Sequence, residues 1–335
     1  VEALMLPDHC HRQVPIGGAA DVLAACALAA ELAAGAALSE TQRERFSLIV
    51  TELATNVLRH APGHGGSLLL RWLGARTGLE CICTDRGGGI ADLGAALRDG
   101  GSTGQGLGLG LGAVQRLADD FALHTEPAAG TAILARVGDP GREAGATFHC
   151  GAVMLPMAGQ GHCGDGWVLS RYGLVAVIDG LGHGLEASLA ARRAEASVDA
   201  VSDPHRAIEV MHEALRGTRG AVVMAVQPGS DGVQFAGVGN VSATLLGMDR
   251  QTSLHSAWGV VGSGAPIPGV HHAAWSPGDV LLLHSDGLSG ATAAFQSRHL
   301  RYVAPALAAA VVLRDATTKL DDQTVVVLQC PRVRT

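Results

Sequence analysis

The sequence predicts a two-domain α/β chain whose halves are different folds. Its 335 residues exceed what one core of about 150 residues needs and suit two. Apolar periodicity stops between Val137 and Thr147, where Gly138-Asp139-Pro140-Gly141-Arg142-Glu143-Ala144-Gly145 reads as a linker. The pattern is led by helices before that break and by strands after it, and no internal repeat relates the two sides. The expected division is a first domain over 1–138, a linker over 139–146 and a second domain over 147–331.

In the first half, an Ala-rich helix is expected over 21–34, and a second helix runs from Ser39, its N-cap, to about residue 59. Strands follow over 67–73 and 79–84. A third helix carries Val114, Leu117 and Phe121 at helical spacing, and 131–137 reads as a last strand. In the second half, the nearly continuous apolar run 172–178 suits a strand buried on both faces. Further strands are expected over 222–226, 232–239, 241–246, 280–284 and 324–328. Two helices interrupt them, over 185–201 and 204–215, the second with Asp203 as N-cap and Pro204 in its first turn.

Composition narrows the function classes. The chain is 47% hydrophobic, 16% charged and only 3% aromatic, so its cores are built from Ala, Val and Leu. A net charge of -7, with no Lys/Arg block, argues against nucleic-acid binding. The apolar stretches 22–38, broken by Glu31, and 303–313, broken by Pro305, fall short of the ~20 residues of a membrane helix. No secretory leader is visible, and seven scattered cysteines suit a reduced, cytoplasmic setting. Cys81 and Cys83 face one side of a strand but have no second pair to complete a metal site, and they read as core residues.

Glu52, Asn56 and His60 fall at i, i+4 and i+8 on the second helix, beside the apolar stripe of Ile49, Leu53 and Val57. An amide can hold magnesium against phosphate oxygens, and a carboxylate one turn away can accept a proton. Such a stripe alone also describes a solvated helix face. Downstream come Asp85-Arg86-Gly87-Gly88-Gly89 and then Gly104-Gln105-Gly106-Leu107-Gly108-Leu109-Gly110. An aspartate at a strand end, followed by glycines, can accept a hydrogen bond from the exocyclic amine of a flat base. A glycine-rich segment that opens a helix can hold phosphates with its amides. Lys319 is the sole lysine and lies far from these glycines, which excludes a Walker A loop; G-x-G-x-x-G fits in no register, which argues against a dinucleotide site.

With these motifs in this order, residues 21–137 resemble the GHKL ATPase superfamily, and within it the anti-sigma-factor and switch-protein serine kinases of partner-switching systems. The resemblance implies a Bergerat-type α/β sandwich with ATP and magnesium under a glycine lid. It implies Asn56 on magnesium, Asp85 on adenine, Gly87 and Gly89 shaping the base pocket, Gly104, Gly106 and Gly108 over the phosphates, and Thr131 near the base. Glu52 is then the base that activates a substrate hydroxyl.

Four aspartates stand at strand ends in the second half: Asp165, Asp179 in Asp179-Gly180-Leu181-Gly182-His183-Gly184, Asp286 in Ser285-Asp286-Gly287, and Asp321 in Asp321-Asp322-Gln323-Thr324. Each alone is an ordinary turn residue. Gathered at one sheet rim, they are hard oxygen ligands suited to magnesium or manganese, and a pair of such ions can direct water at phosphorus. Over 147–329 these motifs, with Pro277-Gly278-Asp279, resemble the SpoIIE-like branch of the PPM-type serine/threonine phosphatases. That resemblance implies an α-β-β-α sandwich and two manganese or magnesium ions. Asp179 would bridge them, helped by the Gly180 carbonyl, with Asp165, Asp286 and Asp321 completing the shells. Ser289-Gly290 departs from the pair usual at that place, and His183 is open to a general-acid or a packing role.

The expected protein is a cytoplasmic fused enzyme, an ATP-dependent protein-serine kinase followed by a metal-dependent phosphoserine/phosphothreonine phosphatase. The resemblance implies STAS-domain antagonist or scaffold proteins as partners, with a sigma factor as a further candidate. The alternative is an active phosphatase joined to a non-catalytic ATP-binding anti-sigma or sensor module.

Overall fold

The structure, a computed structural model, describes residues 7–98, 110–138, 148–230, 232–264 and 266–332. Its contacts form two compact units, one over His11–Arg142 and the other over Glu143–Thr335 together with the first residues through Cys10. The expected first-domain range 1–138 differs from this grouping at its start. His9 Nε2 lies 2.9 Å from Glu195 Oε1, and buried Cys10 packs with Met154 and Cys163, so this segment belongs with the later residues. The expected linker 139–146 lies outside the described residues.

The unit over 11–142 consists of β1 (Arg12–Ile16), α1 (Ala19–Ala34), α2 (Glu40–His60), β2 (Gly66–Leu73), β3 (Gly78–Asp85), α3 (Leu93–Leu97), α4 (Gly110–Leu117), β4 (Asp120–Glu126) and β5 (Gly130–Gly138). Its five strands are ordered β1-β2-β3-β5-β4, each pair antiparallel. The helix starts follow from local sequence. Asp21 Oδ2 accepts the Gly17 and Gly18 amides ahead of α1, and Ser39 and Gln42 close a reciprocal capping box on α2. Phe46, Ile49, Val50, Leu53 and Val57 of α2 then face Leu68, Leu70, Cys81, Cys83, Ile133 and Ala135 on one side of the sheet. Cys81 and Cys83 are therefore core residues, as read from sequence, and burial pushes both thiols up from their ordinary range.

The other face of this sheet carries a row of charge. Arg71, Glu80, Arg136 and Asp120 are successive cross-strand partners on β2, β3, β5 and β4. Glu80 is fully buried, with Oε1 at 2.6 Å from Arg71 Nε and 3.0 Å from His11 Nε2, and Oε2 at 2.7 Å from Arg136 Nε. Burial alone would raise its pKa, but Arg71, Arg136 and His11 together hold it well below the usual carboxylate range.

Two expectations change in this unit. Phe121 is not helical: α4 ends at Leu117, Asp119 is held by Arg45 and by the Gly138 amide, and the chain turns there into β4. The strand β1 was not anticipated, because five residues with a proline give almost no periodicity; at a sheet edge the missing proline amide is tolerated.

The other unit contains β6 (His149–Leu155), β7 (Asp165–Leu169), β8 (Val175–Gly180), α5 (Leu185–Ser197), α6 (Pro204–Ala214), β9 (Ala221–Pro228), β10 (Val233–Val238), β11 (Ser242–Leu246), β12 (Gln251–Ser253), β13 (His271–Ala273), β14 (Val280–His284), β15 (Leu288–Ser289), α7 (Ala291–Ser297), α8 (Pro305–Asp315), β16 (Thr317–Thr318) and β17 (Gln323–Gln329). Two five-stranded antiparallel sheets, β13-β10-β9-β8-β7 and β12-β11-β14-β17-β6, pack face to face. Val175, Val177, Met224 and Phe235 of one meet Leu281, Leu283, Val326 and Leu328 of the other. The alternate residues of the first sheet, Ala176, Ile178, Val223 and Ala225, pack on Ala190, Ala194, Ile208 and Met211 of α5 and α6. The helix α8 lies along β6 and β17, so the layers run α-β-β-α.

The sequence expectation ran β8 from residue 172, but it begins at Val175. Ser170 Oγ accepts the amides of Tyr172 and Leu174, and Gly173 has φ +85, which makes 170–174 a hairpin turn. Pro305, read as interrupting an apolar stretch, instead starts α8 at a position where its missing amide costs nothing.

Candidate functional site

In the 11–142 unit, a cleft of about 550 Å³ is lined by Asn56 and His60 from α2, Asp85 from the end of β3, Gly88, Gly89 and Thr131. Asp85 Oδ1 accepts the Gly87 amide at 2.7 Å and the Thr131 amide at 3.3 Å, which fixes the carboxylate at the strand end. Thr131 Oγ1 lies 3.1 Å from Thr125 Oγ1, which in turn accepts the Ile90 amide at 2.9 Å. Sequence reasoning did not find Thr125; a threonine within a strand has no spacing that marks it.

The glycines of the turn are there for close approach. A side chain at Gly87 would meet the His60 carbonyl oxygen at 2.6 Å, and Gly89, at φ +75, would run into the Glu126 carbonyl. Asn56, Asp85, Gly89 and Thr131 thus line one cleft. Glu52, one turn before Asn56, is only 9% exposed and is not among the described residues that line it. The expected phosphate-covering glycines Gly104, Gly106 and Gly108 lie outside the described residues. The donor set fits an adenine nucleotide: an acceptor for an exocyclic amine, apolar walls at Ile90, Leu111 and Ile133, and a neutral amide for a cation.

In the other unit, the strand ends bring the expected carboxylates together. Asp165 and Asp179 are direct partners across β7 and β8. Burial pushes the Asp179 carboxyl up to about 7, and the negative charges of Asp286, Asp321 and Asp322 add to the effect. Buried Asp165 is also raised, by desolvation first and then by Asp179. Like charges gathered in this way favour a bound cation. Among the described residues no three His, Cys, Asp or Glu side chains close around one point, so backbone carbonyl and water oxygens would complete any shell. Next to Asp179, Gly180 packs so closely against Ala187 and Gly164 that a Cβ there would lie 2.5 Å from the Ala187 carbonyl oxygen, so only glycine fits that position.

Three further side chains shape this rim: Ser285 and Asn240, which sequence reasoning did not single out, and Asp322, which it ranked behind Asp321. Ser285 Oγ donates to Asp165 Oδ2 at 2.6 Å, and Asn240 Nδ2 donates to Asp286 Oδ2 at 2.9 Å. Asp322 is buried and accepts the Met157 and Gly164 amides, both at 2.7 Å, while Asp321, among the described residues, accepts the Asp322 amide alone. His183 is exposed in the loop that enters α5.

The chain matches known families on both sides. Residues 18–137 match the histidine kinase-like ATPase domain, and residues 170–331 match the Stage II sporulation protein E (SpoIIE) family. The serine/threonine-protein kinase RsbT of Bacillus subtilis is 35% identical over 116 residues, 34% of this chain and 86% of that protein. A crystal structure of RsbX in complex with magnesium is 24% identical with a TM-score of 0.47, covering 56% of this chain and 96% of that one. The RsbU and RsbW domains of a Mycobacterium tuberculosis protein are 20% identical with a TM-score of 0.48, covering 56% and 62%. Among the described residues no helix is long and apolar enough to cross a membrane.

Proposed function

We propose, from the premise that this chain belongs to the RsbT-like family of histidine kinase-like ATPase domains and continues into a SpoIIE-type PPM phosphatase domain, that it is a bifunctional signalling enzyme. One domain transfers phosphate from ATP to serine, and the other removes phosphate from phosphoserine or phosphothreonine. The substrates are STAS-domain partner-switching proteins of the cytoplasm, with a sigma factor as a further partner.

The observation that carries this reading is the cross-strand pairing of Asp165 with Asp179, with Ser285 bonded to Asp165 and the charges of Asp286, Asp321 and Asp322 acting on Asp179. In the proposal Asp179, Asp165, Asp286, Asp321 and the Gly180 carbonyl hold two manganese or magnesium ions. Bound there, the ions neutralise charge on the phosphate as it reacts. Ser285 and Asn240 orient Asp165 and Asp286. In the ATPase domain, Asp85 and Thr131 take the adenine, Gly87 and Gly89 admit it, Asn56 holds magnesium, Gly104, Gly106 and Gly108 cover the phosphates, and Glu52 accepts the serine proton.

The position of Glu52 favours a second reading. Its carboxylate is buried and does not line the described cleft, as suits a nucleotide-binding anti-sigma or sensor module without transfer chemistry. The two are separated by incubating the chain with ATP, manganese and a STAS-domain protein and following phosphoserine by mass spectrometry. The bifunctional reading expects phosphoserine to rise and then fall, the rise lost in Glu52→Ala and the fall lost in Asp179→Asn. No transfer by the wild type would leave the sensor reading.

A further inference from the structure

The loop that follows Asp179 has two neighbours which the proposed chemistry does not use. Gly180 pairs with Ala221 at the start of β9, and the Leu181 amide donates to the Gly220 carbonyl at 3.1 Å. Arg219 therefore stands at the mouth of the carboxylate rim. Its guanidinium reaches over the loop itself: a Cβ built on Gly182, at φ +86, would lie 3.0 Å from Arg219 Nη1. Arg219 is exposed, and among the described residues no carboxylate pairs with it.

The second neighbour is the segment from Ala257 to Val261. Its ends are fixed by backbone hydrogen bonds. The Ala257 amide donates to the Gly237 carbonyl and its carbonyl accepts the Gly239 amide, both at 2.8 Å, while Val261 exchanges bonds of 2.9 and 3.1 Å with Ala221. The first anchor adjoins Asn240, the partner of Asp286, and the second adjoins Gly220, whose Cβ position lies 2.5 Å from Val260 Cγ1. Between these anchors Trp258 is 95% exposed. A backbone fixed on both sides, carrying a bare indole, presents that ring to solvent at a set place beside the rim.

We propose that Arg219 and Trp258 form the docking corner of the phosphatase site, with Arg219 meeting the phosphate and Trp258 the polypeptide that flanks the phosphoserine. The inference rests on the phosphatase reading and adds how a phosphoprotein is told from a small phosphate ester. A guanidinium without a carboxylate partner offers a planar fork of donors that matches phosphate oxygens. An indole supplies much of the contact energy when a protein surface closes on it. Phosphate and flanking chain are thus read by separate side chains within one knot of hydrogen bonds.

The test uses the full chain with manganese and two probes, p-nitrophenyl phosphate and serine-phosphorylated casein. Arg219→Ala is expected to raise KM about tenfold for both probes, with partial recovery in Arg219→Lys. Trp258→Ala is expected to raise KM about tenfold for phosphocasein and much less for the aryl phosphate, with partial recovery in Trp258→Phe. Wild-type hydrolysis with unaltered KM values in either alanine variant overturns the corner alone. A wild-type chain that hydrolyses neither probe overturns the phosphatase reading and the corner with it.

Discussion

Ser285 donates its hydroxyl to Asp165 at 2.6 Å and accepts the Thr324 amide at 3.0 Å, so a single side chain ties the first residue of β7 to the opposite sheet. Asp165 is thereby held at a fixed point although its own strand is short. Removing this hydroxyl in Ser285→Ala should raise the manganese concentration needed for half-maximal hydrolysis by about 10- to 100-fold, as loss of a group that orients a ligand generally does. Activity measured against manganese concentration gives the number.

The neighbours Asp321 and Asp322 should separate by effect. Asp322 satisfies two backbone amides in a buried place, and Asp322→Ala strands both, at about 1–3 kcal/mol each. A clear fall in melting temperature is expected. Asp321 makes one local contact, so Asp321→Asn should melt near the wild type while losing most phosphatase activity. Thermal unfolding and turnover on the same samples make the comparison.

Gly89 has φ +75 and faces the Glu126 carbonyl, so Gly89→Ala must move the turn beside Asp85. We expect affinity for a fluorescent ATP analogue to fall by about tenfold or more, with manganese-dependent hydrolysis of an aryl phosphate retained. Equal nucleotide affinity in the variant would remove Gly89 from the adenine pocket.

Glu80 makes the ATPase fold sensitive to acid. Its folded-state pKa is depressed, so its stabilisation is complete above the ordinary glutamate range of about 4.3 and is lost as pH falls through the lower folded value. Glu80→Gln leaves Arg71 and Arg136 without their shared carboxylate, which should cost about 3–5 kcal/mol at neutral pH. The variant should also lack the wild type's decline in stability below about pH 4.3. Denaturant unfolding at a series of pH values tests both.

Strong local chemistry made parts of this fold legible in sequence. The box at Ser39 and Gln42 and the stripe from Ile49 to Val57 marked α2, and Asp179, Asp286 and Asp321 were visible because each stands at the end or the start of an apolar strand. Helical spacing misled at Phe121, where an Arg45–Asp119 contact distant in sequence ends the helix first. The strands β1 and β7 carry no continuous apolar run, the one interrupted by Arg12, Gln13 and Pro15 and the other opening on Asp165 and Gly166. Ser285, Asn240 and Trp258 had no signature because their places are set by partners 120, 46 and, through Ala221 and Val261, 40 residues away, distances along the chain that only folding closes.

The grouping of Pro7–Cys10 with the later residues bears on how the chain can be taken apart. His9 holds Glu195, whose same oxygen receives the Trp167 amide at 3.0 Å, and Trp167 is two positions from Asp165. Scission at one point between 138 and 148 would therefore not yield two self-sufficient halves. The carboxyl-terminal fragment would be missing a short piece of its own clothing, still sewn to the amino-terminal one, and would regain it only from a synthetic peptide carrying His9 and Cys10.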